Sequence, residues 1–226
     1  MTVWFATGNV HKKKELEAIL AAAIPPNAIP PEAITSSKTK GFELKIPADA
    51  GLAFDPEETG STFLENALLK AQELHRLLEE LKPPLYTSGD PVIADDSGLC
   101  VDALGGRPGI HSARYPESTL AYGGKGLDAA GKNALLLSEL GDSDLRSARF
   151  VCAMVLYYGK DRFCAVQEIV EGELVRDMPK GSGGFGYDPI FYIPPLGRTA
   201  AELSEEEKNR LSHRGKAGRA IGRLLC

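Results

Sequence analysis

From Phe150 to Tyr158 the chain reads Phe-Val-Cys-Ala-Met-Val-Leu-Tyr-Tyr, apolar at nearly every position. A strand with one wet face would alternate apolar and polar residues, so an unbroken run of this kind suits a central strand covered on both faces. The turn Gly159-Lys160-Asp161-Arg162 separates it from a second strand-like run, Phe163 to Val170, and the two together read as an antiparallel hairpin. Helical patterns alternate with strand patterns on either side of this pair. That excludes a bundle or a sandwich and predicts an α/β class, a mixed β-sheet flanked by helices. With 226 residues and 43% hydrophobic content, the chain can bury a sizeable core as one large domain or two lobes.

The first strand is expected at Val3 to Ala6, followed by the turn Thr7-Gly8-Asn9. Leu16, Ile19, Leu20 and Ala23 then recur at helical spacing until Pro25-Pro26 stops the helix. Lys12, Lys13 and Lys14 crowd the start of this helix, where they oppose its macrodipole. They require an anion nearby or must project away from the helix end. Residues 25 to 60 read as an irregular, proline-bearing excursion or lid ending in the acidic turn Asp55-Pro56-Glu57-Glu58-Thr59-Gly60. Thr62-Phe63-Leu64-Glu65 has the form of a capping box. It opens a long helix whose expected buried stripe is Leu64, Ala67, Leu68, Ala71, Leu74, Leu78 and Leu81, with Asn66 and Lys70 on a different face. Pro83-Pro84 closes it.

The next strand, Val92-Ile93-Ala94, runs directly into Asp95-Asp96-Ser97-Gly98. Carboxylates where a strand gives way to a loop would be rigidly held yet face solvent, a position that suits a metal ligand or proton acceptor. An Asx-type turn would account for one of the two acids.

Gly181-Ser182-Gly183-Gly184-Phe185-Gly186 matches the dinucleotide-binding spacing GxGxxG, but that fingerprint needs its last glycine to open a helix after a strand. Here Tyr187-Asp188-Pro189 leads into the short strand Ile190-Phe191-Tyr192-Ile193, so the segment is a loop. Its glycines still allow backbone to approach a ligand, and Phe185 or Tyr187 can stack on a flat ring. There is no GxxxxGK[ST] segment and hence no P-loop. Ser204-Glu205-Glu206-Glu207 is a second capping box, opening a helix with Lys208 and Leu211. His213 and Arg214 follow at its expected end, where they either complement the helix terminus or donate to a keto oxygen or phosphate.

Cys100, Cys152, Cys164 and Cys226 lie far apart without zinc or CxxC spacing. Cys152 and Cys164 fall within apolar runs, which suits buried free thiols and a reducing, cytoplasmic setting. Met1 to Phe5 carries no basic region and no long apolar segment, and no run approaches the ~20 apolar residues of a membrane span, so a soluble, unsecreted protein is expected. The net charge of −5 argues against a general nucleic-acid or anionic-membrane binder, though not against a small polyanion held by a few cations.

Together, seven blocks closely resemble the inosine triphosphate pyrophosphatase family. They are Thr7-Gly8-Asn9-Val10-His11-Lys12, Glu57 to Gly60, Phe63 to Ala67, Ala94 to Leu99, Gly105 to Gly109 with Ser112 to Tyr115, Gly184 to Pro189, and Ala201 through Lys208 to Ala217. The resemblance runs in order from residue 3 to residue 221 and departs from the family in a longer 25 to 56 excursion, a longer Leu78 to Asp90 connection, and a loosely matching stretch from Pro116 to Leu137. It implies a single pyrophosphatase domain over 1–226, elongated, with two lobes and a nucleotide cleft between them, forming a homodimer. The implied reaction is hydrolysis of ITP, dITP or XTP to the monophosphate and pyrophosphate, which cleanses the nucleotide pool. A different base preference, or nucleotide binding without turnover, are the alternatives.

Carried over residue by residue, the resemblance implies Asp96 as proton acceptor and Mg²⁺ ligand, Glu58 as a further metal ligand, and Asp95 in support. It places Thr7, Gly8, Asn9, Val10, His11 and Lys12 on the substrate phosphates, helped by Lys70 and Lys208. Ser97 would contact the nucleotide and Phe185 would stack on the base. Gly186, Tyr187 and Asp188 would shape the base pocket, and His213 and Arg214 would read the keto edge. Adenine carries an amino donor where hypoxanthine carries oxygen, so fixed donors there would reject ATP.

Overall fold

The structure is a computed structural model that describes residues 1–24, 42–116, 126–176, 180–181 and 183–225. Its sheet has the order β2-β1-β3-β4-β5-β6-β7. β1 (Thr2–Phe5) pairs in parallel with β2 (Glu43–Lys45) and with β3 (Val92–Val101). The sheet continues through β4 (Ser147–Gly159), β5 (Arg162–Leu174), β6 (Phe191–Ile193) and β7 (Arg198–Thr199). The β5/β6 and β6/β7 pairs are antiparallel, so the sheet is mixed as the sequence predicts. The helices are α1 (Val10–Ala23), α2 (Phe63–Leu81), α3 (Ala129–Leu140), α4 (Glu205–Leu211) and α5 (His213–Leu224).

Phe150 to Tyr157 is buried without interruption, the signature expected of a central strand. A two-residue turn at Lys160 and Asp161 reverses the chain into β5. Asp161 there takes φ 61°, a left-handed conformation that Asp tolerates better than most residues. β5 is mostly exposed, and Cys164 lies exposed on it rather than buried as its apolar neighbours suggest. Cys226 lies outside the described residues.

The chain divides into two compact units: Met1–Asp96, Cys152–Glu168 and Arg214–Cys226 form the first, Ser97–Val151 and Ile169–His213 the second. In the first, Val3, Phe5, Leu16, Leu20, Leu44, Ile93, Met154 and Ile221 build the core. In the second, Leu99, Leu136, Phe150, Leu174, Tyr187, Ile190 and Phe191 do so.

Three sequence expectations need correction. The excursion at 25 to 60 is not irregular throughout, because residues 43 to 45 form β2 and Pro47–Ala50 a 3₁₀ turn; residues 25–41 lie outside the described set. Both capping boxes form, with Thr62 and Glu65 exchanging bonds at 3.1 and 3.1 Å, yet α2 buries a different stripe from the one expected. Leu64 and Leu81 are exposed while Phe63, Asn66, Ala67, Lys70, Ala71, Leu74 and Leu78 are buried. Asn66 and Lys70 therefore belong to the inward face, because their polar groups find partners there. Finally, the chain after Ser204 makes two helices: α4 ends at Leu211, and His213 and Arg214 open α5 instead of complementing a helix C-terminus.

Candidate functional site

Asp95 and Asp96 sit in the middle of β3, not at its end, and both are buried. The strand runs on through Ser97, Gly98 and Leu99 to Val101, so the acids lie within the ladder and do not face solvent. Successive strand side chains point to opposite faces, so the two neighbours meet different surroundings.

Asp95 is surrounded by cations. Lys12, reaching from the first turn of α1, lies 2.9 and 3.1 Å from its two oxygens. The Arg214 Nε and Nη2 donate to Oδ2 at 3.2 and 3.1 Å, and Nη1 donates to Glu15 at 2.7 Å. Burial pushes the Asp95 carboxyl up, but Lys12, Arg214 and Lys70 outweigh it and hold the group well below the usual carboxylate range. Burial opposes the charge on Arg214 too, and Asp95 and Glu15 overcome that opposition and raise its pKa. The lysine cluster at the start of α1 thus has its anions within the protein: Lys12 pairs with Asp95, and Lys13 with Asp49 at 2.6 Å.

Asp96 faces Lys70 on one oxygen at 2.8 Å and the Asn66 amide on the other at 3.5 Å. Lys70 also holds Glu58 at 2.8 Å, so two carboxylates converge on one buried ammonium. Burial raises the Asp96 pKa; Lys70 pulls it down, but the nearby charges of Glu58 and Asp95 push it further up. Burial likewise works against the Lys70 charge, yet Asp96 and Asp95 keep its pKa raised. Two adjacent acids with pKa values displaced in opposite directions are the arrangement that separates a fixed negative charge from a proton acceptor.

Gly60 links the acidic turn to this cluster. Its amide donates to Asn66 Oδ1 at 2.8 Å, and a Cβ at residue 60 would lie 2.6 Å from the Glu65 Cβ and 2.7 Å from that same oxygen. Only glycine lets the turn bearing Glu58 fold this close to α2.

The turn before α1 is arranged largely by its own side chains. Asn9 caps the helix, accepting from the His11 and Lys12 amides at 2.9 and 3.2 Å. The Thr7 amide donates to Phe5, and Thr7 Oγ1 accepts from the Asn9 amide at 3.1 Å. Gly8 is the open point, with no heavy atom within 4 Å of where a Cβ would stand. His11 and Val10 are exposed beside it.

In the second unit, Ser97 is half-buried on β3. The glycine-aromatic loop leads into a short strand as its sequence implies, but through a 3₁₀ turn at Asp188–Ile190 that leaves Ile190 outside β6; Ser182 lies outside the described residues. Asp188 is the anchor, accepting from the Phe185 amide at 2.6 Å and from Lys208 at 2.7 Å. Gly184 takes φ 72° above it, and a Cβ there would come within 2.2 Å of Asp188 Oδ2. Gly186 takes φ 64°, and the buried Tyr187 hydroxyl donates to the Ser112 carbonyl at 3.0 Å. Phe185 itself stays 40% exposed, with the Lys208 ammonium 4.4 Å from its ring centre. His213 is buried and stacks on Phe150, with ring centres 4.8 Å apart and planes 10° from parallel. A cavity of about 320 Å³ among Asp144, Arg146, Glu173, Arg176 and Lys180 holds none of the expected site residues.

Sequence reasoning missed Asn66 and Glu15. Asn66 was legible only as the residue one helical turn before Lys70, and Glu15 as the residue three after Lys12. Among the described residues no group of three or more His, Cys, Asp or Glu is placed to hold a metal ion. The donors that converge are Glu58 and Asp96, hard carboxylate oxygens already gathered on a cation. That set fits Mg²⁺, which is bound through one or two carboxylates and completes its shell with water and substrate phosphates.

An α/β sheet carrying a buried acid pair with the buried Lys70 and the half-buried Lys12 on it has the equipment of an enzyme of phosphoanhydride chemistry. The chain belongs to the Ham1 family, whose model matches residues 3–223. It is 44% identical over 225 residues to a dITP/XTP pyrophosphatase of Treponema denticola, covering 100% of this chain and 98% of that protein. It is 42% identical over 223 residues to a dITP/XTP pyrophosphatase of Thermus thermophilus, covering 98% and 90%. Among solved structures, the Staphylococcus aureus Ham1 protein superposes with a TM-score of 0.75 at 33% identity, covering 100% of this chain and 98% of that one.

Proposed function

We propose that this chain is a nucleoside triphosphate pyrophosphatase acting on non-standard purine nucleotides (ITP, dITP and XTP), releasing the monophosphate and pyrophosphate. The observation that carries the reading is the arrangement of the buried acids, with Lys12 and Arg214 on Asp95 and Lys70 shared between Asp96 and Glu58. Its names come from relatives that span the whole chain. Asp96, whose raised pKa makes it a better base than an ordinary carboxylate, takes a proton from water. The water oxygen bonds to the α-phosphorus as the bond to the α-β bridging oxygen breaks, and pyrophosphate leaves. Lys12, Lys70 and the open turn at Gly8 bear on the phosphates, with Thr7, Asn9, Val10 and His11 framing that turn.

Glu58 and Asp96 are the residues that would hold Mg²⁺, which when bound neutralises charge on phosphate oxygens. Phe185 offers a stacking face, with Lys208 and Asp188 fixing the loop beneath it; Gly186 and Tyr187 shape the pocket, and Ser97 contacts the nucleotide. His213 and Arg214 read the keto edge, Arg214 as a donor preorganised by its bonds to Asp95 and Glu15. We further propose a cytoplasmic homodimer that does not bind nucleic acid, in keeping with a net charge of −5. No helix among the described residues is long and apolar enough to cross a membrane.

The test is pyrophosphate release from ITP, XTP, ATP and UTP with and without Mg²⁺. The expected outcome is Mg²⁺-dependent release from ITP and XTP with ATP much poorer. Preference for UTP would establish a different base specificity, tight binding without turnover would establish a non-catalytic protein, and orthophosphate as first product would refute cleavage at the α-phosphate. Light scattering at assay concentration tests the dimer.

A further inference from the structure

We infer that Asn133 is a positioning residue for base recognition, acting through the carbonyl of Gly186; this rests on the proposed reading of the Phe185 loop. Asn133 lies on the inward face of α3 with Leu136 and Leu140, where a third apolar side chain would be the ordinary choice. Instead a primary amide occupies the position, 3% exposed. Its Nδ2 donates to the Gly186 carbonyl at 3.1 Å, while its Oδ1 is buried with no hydrogen-bond partner among the described residues. Unpartnered buried acceptors are rare in folded proteins, because each forfeits the hydrogen bonds that water gave it. The fold therefore retains a residue that is unfavourable for packing, and the one bond it makes falls on the loop that presents Phe185.

Among the bonds that fasten that loop are Asp188 to the Phe185 amide, Lys208 to Asp188, Tyr187 to the Ser112 carbonyl, and Asn133 to the Gly186 carbonyl. Gly186 stands at φ 64° with open space where a Cβ would be, so no side chain of its own fastens it. The Asn133 bond restrains the Gly186–Tyr187 peptide, while the Phe185 carbonyl one peptide earlier accepts from the Asp188 amide at 3.3 Å. Holding the Gly186–Tyr187 peptide limits how far the backbone that carries the 40% exposed Phe185 can swing, and an aromatic face presented this way stacks on a purine without first having to be ordered.

Asn133→Leu separates this role from simple packing. It removes the orphaned acceptor along with the donor, and the half-buried Gly186 carbonyl that loses its partner can turn to water, so the fold should be about as stable as wild type. Function should nonetheless move: KM for ITP should rise roughly five- to tenfold, the worth of one neutral hydrogen bond, with kcat within about twofold. Inhibition by inorganic tripolyphosphate, which has no base, should be unchanged. Unaltered KM in a folded Leu variant overturns the inference, as does a parallel loss of ITP and tripolyphosphate affinity with a lowered melting temperature. Asn133→Ala, which leaves a smaller side chain in place, is measured alongside, and if only it folds the same KM and tripolyphosphate criteria decide. Wild-type protein that releases no pyrophosphate from ITP would instead defeat the proposed function, and that control is read first.

Discussion

Asp95 and Asp96 share a strand, a charge and a depth of burial, yet they have opposite electrostatic fates. Asp95 meets a lysine and an arginine that both bond to it directly, and those cations hold it ionised against the cost of burial. Asp96 meets one lysine that it must share with Glu58, plus a neutral amide at longer range. One cation divided between two acids does not compensate burial as two cations on one acid do. The difference teaches that an acidic doublet is not one electrostatic unit: the strand's alternation sends each acid to its own surroundings, one held as a fixed counter-ion, the other, on the proposed reading, the proton acceptor.

The largest effect that can break this comparison is on turnover. Asp96→Asn should lower kcat for ITP by roughly 10²- to 10⁴-fold with little change in melting temperature, since Lys70 keeps Glu58 as a partner. Activity within a few-fold of wild type would remove Asp96 from the chemistry. Asp95→Asn should fail differently, by destabilising the fold about 3–5 kcal/mol, because Lys12 and Arg214 lose a buried counter-ion. The sign with pH follows from its depressed native pKa. The stability it contributes is fully present above the unfolded-state value of about 3.9 and is lost as pH falls below that toward the native value. Denaturant titrations should therefore show a large gap between wild type and Asp95→Asn at pH 7 that narrows below about pH 4. A gap that widened on acidification would reverse the assignment.

A smaller effect sharpens the boundary between counter-ion and binding roles. Arg214→Ala should lower the melting temperature, since it exposes Asp95 and Glu15 to a buried site without their shared partner. It should also cut the ITP to ATP ratio of kcat/KM by roughly ten- to a hundredfold, the worth of one charge-assisted bond to the keto oxygen. An unchanged ratio in a destabilised protein would leave Arg214 as a counter-ion only.

Much of this architecture was legible in local pattern. The uninterrupted run at Phe150, the turn at Lys160-Asp161, both capping boxes and the non-Rossmann character of the glycine loop each follow from a few adjacent residues, and each is present. β2 was also legible in principle: Phe42-Glu43-Leu44-Lys45-Ile46 alternates with period two, and Phe42, Leu44 and Ile46 are buried, but the proline-rich stretch before it concealed the pattern. The inward position of Asn66 and Lys70 was hidden because polarity was taken as a sign of exposure. Their spacing with Ala67, Ala71 and Leu74 puts them on the buried face once partners are supplied. Those partners come from elsewhere in the chain: Arg214 reaches Asp95 and Glu15 across 119 and 199 residues, and no periodicity encodes such a pairing. The acids' place in mid-strand was missed for a related reason, since charge compensated from afar allows a strand to continue where local polarity suggests its end.

The division of labour between the two acids requires that they protonate separately, and carboxyl ¹³C NMR titration of metal-free protein, with Asp95→Asn and Asp96→Asn for assignment, measures that directly. The predicted result is one aspartate titrating above the ordinary value of 3.8 and missing from Asp96→Asn, beside another that stays ionised well below 3.8 and is missing from Asp95→Asn. Asp95 titrating at or above the ordinary value, or Asp96 titrating below it, would contradict the division of labour between them.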